Sequence, residues 1–254
     1  MGKLTDFKVL EQFKQDFSKV KQLGWIPSNR FHDTGIGKTF EDFIGVIENN
    51  KPSADYKGMI ELKSARELSK AMITLFTKSP EPQGVNTLLR EKFGYYDEEH
   101  KDLKILHTTF SADGYNTCKD KYGFMLVKDS DEDKINIQVK NILDNSIDNS
   151  LKAYYSFDKL REIIENKCRY IIFISAESKK ENGKEFFKFN KAIVLSGLTF
   201  EKFIISLKQG IIKYDIRAGV YRTGKNKGKT HDHGSGFRIF KKDLNKVFTI
   251  TELC

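Results

Sequence analysis

Cysteine is scarce in this 254-residue sequence: Cys118, Cys168 and Cys254 are the full set, far apart, and no C-x-x-C pair occurs. An odd number of scattered thiols supports neither a disulfide framework nor a zinc ribbon, so a reducing, cytoplasmic setting is expected. Long apolar runs are also missing. No stretch reaches membrane-spanning length, and residues 1–20 are charged and amphipathic without a signal-peptide core. Secretion and membrane insertion are therefore not expected. There is no internal repeat, and low complexity is confined to the Gly- and Lys-rich residues 223–229.

What is present is a globular composition with a basic excess. A hydrophobic fraction of 39% is enough for a core in one large domain or two lobes. Lys and Arg number 44 against 35 Asp and Glu, a net charge of +9. Residues 211–254 hold ten of those bases and only four acids, so most of the excess lies there. A polyanionic partner fits this balance, as does a basic proteome background.

Read in order, residues 4–23 place Phe7, Leu10, Phe13, Phe17, Val20 and Leu23 on one helix face. After a break at Gly24 to Arg30, Gly37-Lys38-Thr39 imitates the end of a phosphate-binding loop. That reading fails, because His32 stands where the first glycine is required and the preceding segment is polar and carries a proline. A helix from Lys38 to about Glu48 is expected instead, burying Phe40, Phe43, Ile44 and Ile47. Glu41 falls in its first turn, as a carboxylate favoured there or as an acid near a metal site.

The segment Asp55-Tyr56-Lys57-Gly58-Met59-Ile60-Glu61-Leu62-Lys63 is more pointed. Strand alternation sets Glu61 and Lys63 on one face and Ile60 and Leu62 on the other, and the Gly58 turn can fold Asp55 back beside them. Two carboxylates and an ammonium suit phosphodiester hydrolysis, with oxygen ligands for Mg²⁺ and a lysine to orient the attacking water. The alternative is an ordinary solvent-facing strand edge. Further on, strands are expected at 103–109, 122–127, 135–139 and 151–155 as a meandering sheet, with a helix at 157–166 and a central apolar strand at 169–175. Lys78 and Arg90 could meet phosphates or be solvated surface charges.

Near the carboxy terminus, alternation puts Lys213, Asp215 and Arg217 on one face, and Arg238 lies on the strand returning after the Lys-rich loop. A two-stranded ribbon of this kind can enter a DNA groove, arginine donating to guanine and aspartate accepting from cytosine. The alternative is a cross-strand salt bridge. His231-Asp232-His233 has a metal-ligand spacing but no accompanying Cys/His cluster.

Several segments carry a resemblance: Thr34-Gly35-Ile36-Gly37-Lys38-Thr39-Phe40-Glu41-Asp42, Asp55 with Glu61-Leu62-Lys63, Thr74 to Pro80, Ile174 to Lys179, Asp215-Ile216-Arg217, Gly228 to Gly234 and Phe237-Arg238-Ile239. Together, in order, they resemble type II restriction endonucleases of the MvaI/BcnI family, whose fold is similar to that of the mismatch-repair nickase MutH. The resemblance implies an α/β (α+β) fold of the restriction-endonuclease-like PD-(D/E)XK, MutH-like kind: a mixed sheet flanked by helices, with two lobes forming a DNA cleft. Approximately residues 1–150 would contain the catalytic centre and 151–254 the recognition ribbon. It further implies a Mg²⁺-dependent monomer that cuts a CCWGG or CCSGG site in double-stranded DNA one strand at a time, with a cognate DNA methyltransferase as functional partner.

Carried over by residue, Asp55 and Glu61 match the metal-binding acids, Lys63 the catalytic lysine and Glu41 a supporting glutamate. Asp215, Arg217, His233 and Arg238 match base-recognition positions; Lys229, His231, Asp232 and Lys78 complete the expected DNA-binding set. The spacing from Asp55 to Glu61 is a residue longer than the family pattern, which predicts a bulge near Lys57-Gly58. The rival readings are a MutH-like repair nickase and a non-catalytic nucleic-acid-binding module.

Overall fold

The run Ile171-Ile172-Phe173-Ile174 has no polar face, and a strand built from it must be covered on both sides. In the computed structural model, which describes residues 2–47 and 53–253, all four are buried in the strand Tyr170–Glu181. It pairs antiparallel with Lys184–Ser196 and parallel with Glu61–Arg66, which forms an edge of the sheet. Trp25–Pro27 and Thr249–Glu252 both add to Lys184–Ser196.

The central strand was expected to stop at Ser175 but runs on to Glu181, with a bulge between Ser175 and Ala176. It stops where Asn182 and Gly183 take positive φ of 49° and 76°, the two central residues of a tight hairpin turn. Local polarity at Glu177 to Lys180 did not end the strand, because hairpin pairing satisfies the backbone whatever the side chains face.

Two helices cover one side of this sheet. Gly2–Gln22 buries Phe13, Phe17 and Val20, and Gly35–Phe43 buries Ile36 and Phe40. These side chains join Tyr56, Ile60, Leu62, Ile172, Ile174, Phe187 and Phe189 in one apolar cluster. Phe13 meets the rings of Phe17, Phe40 and Tyr56 at 5.2–6.4 Å, so truncating it to alanine would cost about 3–5 kcal/mol. The expected helix faces are trimmed: Phe7 is 63% and Leu23 55% exposed, at the two ends of their helix. The second helix ends at Phe43 rather than near Glu48, leaving Phe43 and Ile47 exposed; Glu48 lies outside the described residues.

By proximity the chain divides into two compact units, Met1–Ile73 with Ile163–Thr199 and Lys241–Cys254, and Thr74–Glu162 with Phe200–Phe240. The expected boundary near residue 150 falls inside the second unit. The reason is the parallel pairing of Tyr170–Glu181 with Glu61–Arg66, which returns the later chain to the sheet that the earlier chain began.

In the second unit, Ile212–Val220 is the central strand, flanked by Gly236–Ile239 and Thr230–Asp232 on one edge and Lys104–Phe110 on the other. The expected two-stranded ribbon is thus part of a six-stranded sheet. Lys104–Phe110 also leaves the expected meander, which keeps Tyr122–Lys128, Lys134–Asn141 and Tyr154–Ser156 and gains Ile147–Asp148. Even-numbered residues Ile212, Tyr214, Ile216 and Ala218 are fully buried, Tyr214 against Phe110, Tyr155 and Phe237. The opposite face of that strand is left for polar side chains.

Candidate active site and DNA-recognition residues

The catalytic candidates lie in the first unit, on Glu61–Arg66 and the turn before it. Ile60 and Leu62 are buried in the apolar cluster, so alternation delivers Glu61 and Lys63 together to the other face. Lys63 Nζ donates to Glu61 Oε1 at 2.6 Å. Glu61 is only 4% exposed, and its second oxygen is buried with no hydrogen-bond partner. Lys167 Nζ stands 3.9 Å from that oxygen.

Asp55 is placed by a knot of turns. Ala54 bridges Gly58 and Tyr56 bridges Ile60, two registers that do not form one regular hairpin. Lys57 and Gly58 take positive φ of 52° and 70° at the tip, and Met59 N–H closes a β-turn onto Tyr56 O at 3.1 Å. The expected irregularity at Lys57-Gly58 is therefore a left-handed two-residue turn. Tyr56 fixes the knot from beneath, its ring against Phe13 and its hydroxyl donating to Asp16 Oδ2 at 2.7 Å. Burial and that hydrogen bond push the Tyr56 phenol well above its usual range. Asp55 Oδ2 then accepts the Leu62 N–H at 3.0 Å, satisfying an outward donor of an edge strand. The Asp55 carboxylate is thereby tied to the backbone between Glu61 and Lys63.

Glu41 lies half-buried on Gly35–Phe43, the helix that packs against Glu61–Arg66. Lys38 of the same helix pairs with Asp42 at 2.5 Å, a helix-surface ion pair rather than a phosphate-binding lysine. Cys168, wholly buried beside the site, keeps its proton: burial pushes its thiol up to about 12, Lys63 and Lys167 pulling weakly the other way.

Among the described residues no group of three or more His, Cys, Asp or Glu side chains could hold a metal ion. The oxygen donors of Asp55 and Glu61, one of them buried and unsatisfied, nevertheless fit a hard divalent cation that takes its remaining ligands from water and phosphate. The Cys168 thiol beside them keeps its proton and so offers no thiolate ligand.

The recognition candidates lie in the second unit. Asp215, 6% exposed, accepts from Thr109 Oγ1 at 2.9 Å and from Arg217 Nε at 2.7 Å. Arg238 Nε lies 2.9 Å from Asp215 Oδ2 but off the hydrogen-bonding axis, so this is a charge contact that leaves Nε without a hydrogen-bond partner. The rest of the Arg238 guanidinium donates to Thr74 Oγ1 and, at 2.9 Å, to Gly234 O, and burial holds its pKa below the usual value. Asp215 is therefore the hub between a buried Arg238, which it meets across strands, and a half-exposed Arg217 on its own strand.

Asp232 is engaged internally. Its Oδ1 accepts the Gly234 and Ser235 N–H groups at 2.9 and 2.6 Å, and Oδ2 accepts Asn86 Nδ2 at 2.7 Å, which fixes the loop presenting His233. His231 stacks on Tyr221 with ring centroids 4.5 Å apart, and the His231 and His233 rings are 4.5 Å apart. Lys229 is exposed, with Nζ 3.3 Å from Asn226 Oδ1. Lys78 is half-buried; burial and then the Lys159 ammonium lower its pKa, and its carbonyl accepts the Tyr214 hydroxyl at 3.1 Å.

His107 escaped the sequence reading. It pairs in register with Arg217, its ring meets His233 edge-on at 6.0 Å, and both line a cavity of about 410 Å³ with Asp97, Gly219, Tyr221, Arg222 and His231. Both side chains keep an exposed edge, and partial desolvation first, then the neighbouring histidine and arginine side chains, lowers the pKa of His107 and of His233, which favours the neutral ring in each. No short-range signal marks His107, because only the pairing of Lys104–Phe110 with Ile212–Val220 brings it there.

A family model described as the MvaI/BcnI restriction endonuclease family matches residues 14–248. The chain belongs to this family. Among solved structures it is similar to the restriction endonuclease MvaI–cognate DNA substrate complex, with 37% identity, a TM-score of 0.87 and coverage of 96% of this chain and 98% of that one. It is also similar to the restriction endonuclease MvaI in the absence of DNA, at 34% identity, TM-score 0.60 and coverage of 98% and 97%. No curated protein matches. As an MvaI/BcnI enzyme the chain is a type II, site-specific deoxyribonuclease with the mixed α+β fold of MvaI. No helix among the described residues is long and apolar enough to cross a membrane.

Proposed function

We propose that the chain cleaves double-stranded DNA with Mg²⁺ at a single centre made of Asp55, Glu61 and Lys63. The observation that carries this reading is the Glu61 carboxylate, buried, salt-bridged to Lys63 on one oxygen and unsatisfied on the other. Asp55 and Glu61 would hold the ion, which supplies charge neutralisation at the scissile phosphate and a more acidic bound water. The residues of the chain do the rest. Asp55, locked to the Leu62 N–H, keeps its carboxylate beside Glu61 without a search through rotamers. Lys63 Nζ, held by Glu61 Oε1, keeps its remaining donors available to orient the attacking water against the phosphate. Glu41 supports the site strand from its helix.

Recognition is assigned to Arg217, His231, His233 and Lys229, with Lys78 on a phosphate and Asp215, Asp232 and Arg238 as the frame that aims them. Arg217 has the exposed guanidinium that bidentate donation to guanine requires, which favours G·C pairs and a CCWGG or CCSGG site. One catalytic set in one chain would serve a nearly palindromic site as a monomer, nicking each strand in turn. Host DNA would need a methyltransferase acting on the same sequence, and the work would be done in the cytoplasm. Digesting plasmid DNA with Mg²⁺ and sequencing the fragment ends tests all of this. A common five-base-pair site flanked by C and G runs at every end supports it, whereas random ends, or ends sharing a different core, overturn the assignment.

A further inference from the structure

Glu61 has two lysines, not one. Lys63 takes Oε1 at 2.6 Å, and Lys167, the last residue of the helix Phe157–Lys167, stands 3.9 Å from the otherwise unpartnered Oε2. Both lysine side chains are largely withdrawn from solvent, 21% and 27% exposed. With Asp55, the centre holds two positive and two negative charges and is already balanced. A divalent cation using the free lone pairs of Oε2 adds two charges within a few ångströms of Lys167, and the site becomes strongly positive. A phosphodiester brings one negative charge back.

We infer that Lys167 is a positioning residue that couples metal occupancy to DNA: it occupies the charge position of the ion at Glu61 Oε2 in the free protein and weakens ion binding until a phosphate arrives. This rests on the proposed catalytic reading of Glu61. Its physical basis is simple repulsion, since like charges a few ångströms apart in a site largely withdrawn from solvent shift a divalent ion's affinity by about tenfold or more. The distance of 3.9 Å matters, because it is too long for a hydrogen bond that would lock the ammonium in place and short enough for its charge to be felt. The helix end also suits it, a cation at the last turn being favoured by the helix dipole, so Lys167 can remain near the carboxylate without a direct bond.

The test is calorimetric titration of Ca²⁺ into the full-length protein, alone and bound to a duplex carrying the cleavage site, for wild type, Lys167→Gln, Lys167→Arg and Glu61→Gln. Lys167→Gln should bind Ca²⁺ about tenfold more tightly than wild type without DNA, and the gap should shrink to about twofold or less with DNA; Lys167→Arg should behave as wild type. Unchanged or weaker Ca²⁺ binding by Lys167→Gln in the free protein, or a gap that DNA leaves intact, overturns the inference. Glu61→Gln separates the two layers. If it binds Ca²⁺ as wild type does, the catalytic reading itself fails; if it loses Ca²⁺ while Lys167→Gln shows no gain, only the role of Lys167 fails. Should Lys167→Gln melt well below wild type, the arginine variant and a Lys167→Met protein carry the comparison.

Discussion

Replacing Asp215 by asparagine keeps its size and removes its charge, and the consequence can be worked from its three contacts. The Thr109 hydroxyl at 2.9 Å can still donate to the amide oxygen. The Arg217 contact at 2.7 Å is to a side chain 45% exposed, so its loss costs about 1 kcal/mol or less. The Arg238 contact at 2.9 Å is different, because both side chains are 9% exposed and among the described residues no other acid is paired with Arg238. Stranding a buried charge in this way costs about 3–5 kcal/mol, and the new amide N–H groups would also face guanidinium donors. A loss of that size lowers the melting temperature of the unit by roughly 10 °C. Differential scanning calorimetry on Asp215→Asn reads it directly. The double variant Asp215→Asn/Arg238→Met should recover much of the loss, since it removes the stranded charge. An Asp215→Asn protein melting within about 2 °C of wild type, or a double variant less stable than the single, would refute the argument that Asp215 is the buried hub.

Lys63→Met should leave the fold intact and slow single-turnover cleavage by about 10²–10⁴-fold, because the donor that orients the water is gone; a loss under tenfold would remove Lys63 from the mechanism. Gly219→Ala places a Cβ 2.4 Å from His233 Nε2, the movable end of a side chain. The expected outcome is a normal melting temperature with weakened cognate-DNA binding in a gel-shift titration, and unaltered binding would show that the His233 ring does not read DNA. His107 and His233 have pKa values depressed below the ordinary 6.5, so the folded form binds protons less readily than the unfolded one. The stability they add is complete above about pH 6.5 and is lost as pH falls through the depressed values. Chemical denaturation from pH 7.5 to 5 should therefore be less steep in pH for His107→Gln/His233→Gln than for wild type, and an equal slope counts against the depressed pKa values of these two rings.

The sequence was legible where the signal was local. Alternation alone assigned Ile60 and Leu62 to the core and Glu61 and Lys63 to the other face, and the glycine at position 58 marked the turn that carries Asp55. Helix faces were read well in their middles, at Phe13, Phe17 and Phe40, and poorly towards their ends, where Phe7, Leu23 and Phe43 are exposed. Pairing partners were not legible. Nothing local says that residues 104–110 leave the meander to lie beside Ile212–Val220, and His107 could not be associated with Arg217 without that register. Lys167 was hidden for the same reason, its distance from Glu61 set by a parallel pairing more than a hundred residues apart in sequence. For Asp215 the sequence left base recognition and a salt bridge open, and the internal hydrogen bonds of Asp215 and Asp232 were not legible because their partners come from Lys104–Phe110, Asn86 and the Gly234-Ser235 turn.

The central claim is that Glu61 anchors the one cutting centre of the chain. Supercoiled plasmid incubated with Mg²⁺ and either wild type or Glu61→Gln tests it most directly. Wild type should convert the plasmid first to nicked circles and then to discrete fragments, while Glu61→Gln, folded as judged by calorimetry, should cut at least about 10³-fold more slowly. Cleavage by Glu61→Gln at the wild-type rate, or no cleavage by wild type with any divalent ion, would contradict the account.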